Sequence, residues 1–279
     1  MSLFLPDLLY CNRQKTIDLL SVLVSDLVTE YSLKEHQDKD IKKEVDVGAS
    51  VSNIGKIVAR YQSGDSKSVE KEGIVKLPTS SLFVDLYSIL KSQEKVQKLV
   101  GFDDEIINQL NVGEFIELDG TFSLSPIEAA ISSLFDALKR FQALLADDPQ
   151  FDQFDEIVKV FSSKKSTIII KPYNDVKVSF ISTLKTIKEN MHDEIYEIEG
   201  EFTVFGRIRR IIPKGKKVDL IKFLPGKLKM KKKEIMKMVS GLSDIQENGL
   251  TFDDDFNEDS FELEGPVIEI RPIAIYQAY

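Results

Sequence analysis

The sequence predicts an α+β protein, with a mixed helix and strand region over residues 1–150 and a ferredoxin-like βαββαβ region over 151–279. Three observations carry this expectation. A capped amphipathic helix begins at Ser125 and is stopped by "DDPQ" at 147–150, a candidate boundary. From Ser166 onward, segments with strand and helix character follow in the order strand, helix, strand, strand, helix, strand. The chain has 279 residues, long for one compact core and comfortable for two subdomains.

Residues 3–10 read as a short strand. It leads into "NRQKTIDLLSVLVSDL", where Ile17, Leu20, Leu23, Val24 and Leu27 share a helical face and Asn12 serves as cap. The polar text from Thr29 to Leu77 reads as two or three strands with exposed connections. "PTSSLFVDLYSILKSQEKVQKLV" returns to helix, lined on one side by Leu82, Phe83, Leu86, Tyr87 and Leu90. A short helix, "DDEIINQL", follows. In "SPIEAAISSLFDALKRFQALLA", Ser125 is the N-cap, Pro126 the first helical residue and Glu128 the partner that completes a capping box. The stripe Ile127, Ile131, Leu134, Leu138, Phe141 and Leu145 is its buried side, and "FDQFDEIVKVF" reads as one more helix.

In the second region "STIIIKP" reads as strand, "VSFISTLKTIKEN" as helix, "YEIEGEFTVFGRIRRII" and "KKVDLIKFL" as strands, "KKKEIMKMVSGL" as helix and "FELEGPVIEIRPIAIY" as strand. A weak repeat links "IELDGTF" (116–122), "YEIEGEF" (196–202) and "FELEGPV" (261–267). Each alternates apolar and acidic residues up to a glycine, as a half-buried strand does, and the glycine marks a bulge or a close backbone approach. The repeat accounts for Glu264 in the acidic stretch "DDDFNEDSFELEG". That stretch mimics a calcium loop, but Glu258 stands where such a loop needs its glycine, so a solvated acidic turn is expected.

Composition narrows the function classes. Apolar residues make up 42% and charged residues 30%, which is ordinary for a globular chain, and the net charge is -9. An acidic chain is repelled by phosphate over most of its surface, which argues against a general nucleic-acid coat or a membrane-surface protein. The single cysteine, Cys11, allows no internal disulfide and is expected to be a buried thiol. With no basic stretch before the apolar start and no long apolar run, a cytoplasmic protein without a membrane segment is expected.

The chief exception to the acidic balance is residues 207–237, with thirteen Lys or Arg against Asp219 and Glu234, a local balance of +11. Arg207, Arg209, Arg210, Lys214, Lys216, Lys217, Lys231, Lys232 and Lys233 form the candidate binding surface. Residues 244–264 follow with nine acids and no base, so one block is placed to fold against the other. Catalytic signatures are missing. "SVSNIGKI" has Ser50 in place of the first P-loop glycine and Ile57 in place of the magnesium-binding Ser or Thr. His36 and His192 are the only histidines, too few for a histidine-rich metal site, and no nucleophile elbow or dinucleotide fingerprint occurs. Asp103-Asp104 and Asp147-Asp148 sit by predicted helix starts, where the helix dipole accounts for them. No catalytic residue, metal or cofactor is assigned.

"YCNRQKTIDLLSVLVSDLVTEYSL", "GEFIELDGTFSLSPIEAA", "GEFTVFGRIRRIIPKGKKVDLIKFLPG" and "EGPVIEIRPIAIY" together resemble a family of uncharacterised bacterial proteins catalogued as a domain of unknown function. The resemblance covers nearly the whole chain, least well at 34–76. It implies a bacterial or prophage-borne cytoplasmic protein and supplies no activity, cofactor or catalytic residue.

The functional expectation is a non-enzymatic protein-interaction module that uses the basic face. The alternative is a nucleic-acid binder using the same 207–237 face, although "FGRIRRII" lacks the aromatics of a base-stacking strand. A third reading, a metal-dependent hydrolase, requires Glu117, Glu197 and Glu262 to converge.

Overall fold

The computed structural model describes residues 6–24, 78–100, 104–130, 132, 165–173, 178–185, 190, 199–224, 232–233, 235–237 and 257–278. Their strands are β1 (Pro6–Cys11), β2 (Val96–Leu99), β3 (Phe115–Leu124), β4 (Lys165–Pro172), β5 (Ser179–Lys185), β6 (Gly200–Ile212), β7 (Lys217–Asp219), β8 (Glu262–Glu264) and β9 (Val267–Ala278). The helices described include α1 (13–24), α2 (Thr79–Ser92), α3 (Asp104–Gln109) and α4, described from 126 to 130.

The strands close a five-stranded barrel. β3 pairs with β4, β4 with β5, β5 with β9, β9 with β6 and β6 with β3; all are antiparallel except β5 with β9. Counted along the chain, the barrel strands run 1-2-3-5-4 and back to 1, the connectivity of an OB-type Greek-key barrel. The described residues are therefore mostly β, and the expected α+β, ferredoxin-like βαββαβ arrangement is not formed. The decisive segment is "SFISTLK", read as helix and found as β5. Phe180 and Leu184 face the barrel interior while Ile181 packs into a second apolar cluster on the other side. A strand buried on both faces loses its two-residue alternation, and its apolar spacing then imitates a helix. The first barrel strand, β3, lies before residue 150 and the other four lie after it.

β3, β6 and β9 are longer than the barrel. Their far ends continue into an open sheet, β1-β9-β6-β3-β2, with β2 parallel to β3. Helices α1 and α2 cover one face of it through Ile17, Leu20, Leu82, Phe83 and Leu86 against Phe205 and Tyr276. The Phe83 ring lies 5.4 Å from that of Tyr276 and 5.9 Å from that of Phe205. Burying each such side chain contributes on the order of 1.5–3 kcal/mol. Helix α2 ends at Ser92, so "VQKL", expected as its last turn, is instead β2.

The outer face of β4 and β5 is also covered. Ile169 and Ile181 pack with Ile127 of α4 and with Val218, Leu220, Ile235 and Phe261 from the long β6–β9 connection. Helical residues 232–233 and 235–237 agree with the helix expected there. The expected last strand is two: β8 pairs with β7 in a separate ribbon, and β9 begins after the Gly265-Pro266 turn. The expected strand "KKVDLIKFL" holds only over β7 before a 3-10 turn, Leu220–Phe223.

The helix starts carry the expected caps with one change. Asn12 Oδ1 accepts from the Lys15 amide at 3.1 Å. Ser125 Oγ accepts from the Glu128 amide at 3.3 Å, but the Glu128 carboxylate accepts from the Thr167 amide of β4 at 2.6 Å instead of closing the capping box. Tertiary structure has taken that carboxylate to tie α4 to the barrel. The strands expected within Thr29–Leu77, the later stripe of the Ser125 helix and the helix "FDQFDEIVKVF" lie outside the described residues.

Candidate functional site

A change of partner along β9 marks the place of a cleft. Val267–Ile270 pair with β5 and Ala274–Ala278 with β1, so Arg271–Ile273 lie between the two neighbours on that side. There the Asn12 amide donates to the Ile273 carbonyl at 2.7 Å, which brings the start of α1 against the gap. A cleft of about 1200 Å³ opens at this place, bounded by α1, the ends of β4, β5 and β6, β9 and the β6–β9 connection.

Its lining is cationic. Nine of the lining residues are Lys or Arg and three are acidic, Asp18, Asp219 and Glu269. All three acids are engaged within the protein. Asp18 accepts from Gln14 Nε2 at 2.9 Å, and Asp219 caps the 3-10 turn by accepting from the Ile221 amide at 3.1 Å. Glu269, 6% exposed, is held by two arginines: Arg209 Nη1 at 2.7 Å and Arg210 Nε at 3.3 Å. A bulge makes this double contact possible, because the β6–β9 register steps from Ile208↔Ile270 to Arg210↔Glu269 and leaves Arg209 as the extra residue. Two consecutive arginines thereby reach one carboxylate.

Five other cations are not neutralised in this way. Among the described residues, Lys15, Lys185, Lys216, Lys222 and Arg271 make no ion pair. Lys15 records the result: its pKa is lowered, first by burial and then by the positive charges of Arg271 and Arg207, with Asp18 opposing and Lys185 adding a weaker lowering effect. A cleft that disfavours its own lysine charge favours a bound anion.

Of the candidate surface residues, Arg209, Arg210, Lys216 and Lys217 line the cleft. Arg207 lies on the same strand; it donates to the Gly113 carbonyl and places its guanidinium 5.5 Å from the Phe115 ring centre. Lys214 is exposed in the turn after β6, and Lys233 is exposed beyond the cleft. Lys232 lies 2.5 Å from Glu262, which also binds Lys217 at 3.1 Å, so the acidic block does fold onto part of the basic one. Lys231 lies outside the described residues. The candidate surface left out Lys222 of the basic run, and it missed Lys15, Lys165, Lys185 and Arg271, which lie outside that run.

The other candidates are structural where they are described. Glu117 is buried and accepts from the hydroxyls of Tyr87 and Tyr276, the latter at 3.1 Å. Glu262 binds lysines, and Glu197 lies outside the described residues, as do His36 and His192. Among the described residues no three His, Cys, Asp or Glu gather as a metal site would require. The described part of the acidic stretch forms a capped 3-10 turn, Glu258–Phe261, in which Asn257 Oδ1 accepts from the Asp259 amide at 2.8 Å. Cys11 is fully buried, and burial pushes its thiol up to about 11. Among the described residues no helix is long and apolar enough to cross a membrane.

The family model described as Domain of unknown function (DUF6414) matches residues 5–276, and the chain belongs to that family. No curated protein and no solved structure matches it.

Proposed function

We propose that in this family member the cleft binds the sugar-phosphate backbone of single-stranded nucleic acid. One observation carries the reading: cations from α1, β5, β9 and the β6–β9 connection converge on one groove without carboxylate partners among the described residues, in a chain of net charge -9. Barrels of this connectivity bind oligonucleotides on the outer face of their second and third strands and on nearby loops, an analogy of fold alone. Here that face is covered by the protein's own residues, and the cleft lies at its rim. Aromatic lining is limited to Tyr10, which is buried, and Phe223, so phosphate contact outweighs base stacking. Sequence-tolerant, salt-sensitive binding follows.

The test is fluorescence anisotropy with a labelled oligothymidylate over a range of salt. Neutralising about five phosphates with single-strand counterion release gives a log–log slope near -3.5. Charge reversal at Lys185 and Arg271 should abolish binding in a folded protein. No binding at low salt would overturn the reading.

A second reading keeps the interaction-module expectation and is favoured by Glu262, whose carboxylate bridges Lys217 and Lys232. Cations that accept one carboxylate internally suit an acidic protein surface as well. Competition of the labelled oligomer by polyglutamate, equal to that by unlabelled oligomer at matched charge, would favour it.

A further inference from the structure

The cations of the cleft fall into two groups. Arg209, Arg210 and Lys217 are held by carboxylates of the protein. Lys15, Lys185 and Arg271 are not among those pairs and come from α1, β5 and β9, which all line the cleft where β9 leaves β5.

Their meeting place is built around Asn12. Its amide fixes Ile273, two residues beyond Arg271; its Oδ1 accepts from the Lys15 amide at 3.1 Å; its Nδ2 lies 3.5 Å from the Tyr10 hydroxyl. The Lys185 backbone hydrogen-bonds that same hydroxyl, and Asn190 adds a second tie, donating from Nδ2 to the Lys185 carbonyl at 3.4 Å while its own carbonyl accepts from the Cys11 amide at 2.8 Å. The backbone beneath each of the three cations is thus stitched to one point. Cations on well-anchored backbone lose less freedom on binding than cations on loops, so this corner is preorganised for an anion.

Charge then distinguishes two kinds of phosphate. A backbone diester carries one negative charge, whereas a terminal monoester carries about -1.5 to -2 at pH 7 and offers three acceptor oxygens. Three cations that form no ion pair among the described residues match the second better. We infer that the corner framed by Lys15, Lys185 and Arg271 is a phosphate-monoester subsite, which takes the terminal phosphate of a nucleic-acid strand or of a mononucleotide. The strand-end form rests on the proposed function; the mononucleotide form does not.

The experiment compares decathymidylates carrying a 5′-phosphate, a 3′-phosphate or neither, each labelled at a free end or internally. Thymidine monophosphate and inorganic phosphate serve as competitors. One phosphorylated end should tighten binding by about tenfold, the worth of a charge-assisted hydrogen bond. Arg271→Gln and Lys185→Gln, both exposed positions, should erase that gain, whereas Arg209→Gln should leave it. If all three oligomers bind equally and Arg271→Gln weakens each by the same factor, the subsite is overturned while the cleft reading stands. If no oligomer binds but thymidine monophosphate shifts the amide resonances of Lys185 and Arg271, the nucleic-acid reading fails and the subsite stands. Binding of nothing removes both.

Discussion

Arg209 Nη1 lies 2.7 Å from Oε1 of Glu269, an exposed cation on a buried carboxylate. Arg210 completes the contact from the other side, so a single charge inside the sheet holds two outside it. Glu269→Gln should release both arginines into the cleft. The expected outcome is a several-fold tighter hold on oligothymidylate at low salt and a salt slope steeper by about one unit. Loss of the pairs should also cost about 1–3 kcal/mol in urea unfolding.

Tyr276 and Tyr87 both donate to Glu117 beneath α2. Burial, the largest cause for each, and the Glu117 charge push both hydroxyls well above the usual phenol range, which keeps them protonated as donors. Tyr276→Phe should lower stability by about 1–3 kcal/mol, because it takes a donor from a buried carboxylate. A denaturant midpoint unchanged from wild type would show that Lys98, 3.5 Å away, suffices for Glu117.

Cys11 holds its proton to about pH 11 in the fold, against 9.0 as the ordinary value. The folded pKa is raised, so the stability it contributes is complete below pH 9 and is lost between 9 and 11. At about 1.4 kcal/mol per pKa unit the loss is on the order of 2–3 kcal/mol. Alkaline melting curves should show it, and Cys11→Ser should flatten the pH dependence in that window. The native thiol should resist a disulfide reagent at pH 8 and react once unfolded.

Gly120 pairs with Phe202 of β6 on one side and Pro172 of β4 on the other, where the barrel closes. A Cβ there would stand 2.6 Å from the Lys171 carbonyl oxygen. Gly120→Ala should therefore force β3 from β4 and lower the melting temperature by several degrees, as a strain of about 1–3 kcal/mol would in a domain of this size. A melting temperature within error of wild type would contradict the close approach.

The close approaches of Gly120 and Gly265 in the sequence repeat were legible, as a bulge or a close approach, for the same reason that the charge run was legible. Both are local patterns. Gly120 and Gly200 belong to two copies of the repeat, and those copies pair across β3 and β6, with Gly120 opposite Phe202 and Phe122 opposite Gly200. The acidic turn was also readable, because a cap and its neighbours lie within four residues. Of the candidate surface residues, Arg209, Arg210, Lys216 and Lys217 line the cleft, and three of these four are tied to internal carboxylates.

By itself the sequence determined the family, the Asn12 cap and apolar face of α1, the buried side of α2, strands β4 and β6 and the basic run. Each depends on residues within a turn or two of one another, where capping and periodicity act. Only tertiary structure decided that "SFISTLK" is a strand, that β3 closes onto β6, and that Lys15, Lys185 and Arg271 meet. Barrel closure joins Phe115 to Arg207 and Leu124 to Ile168, and no local preference specifies such pairs. Burial on both faces of β5 outweighed its helix-like spacing, and the partner change along β9 then brought together three cations far apart in the chain.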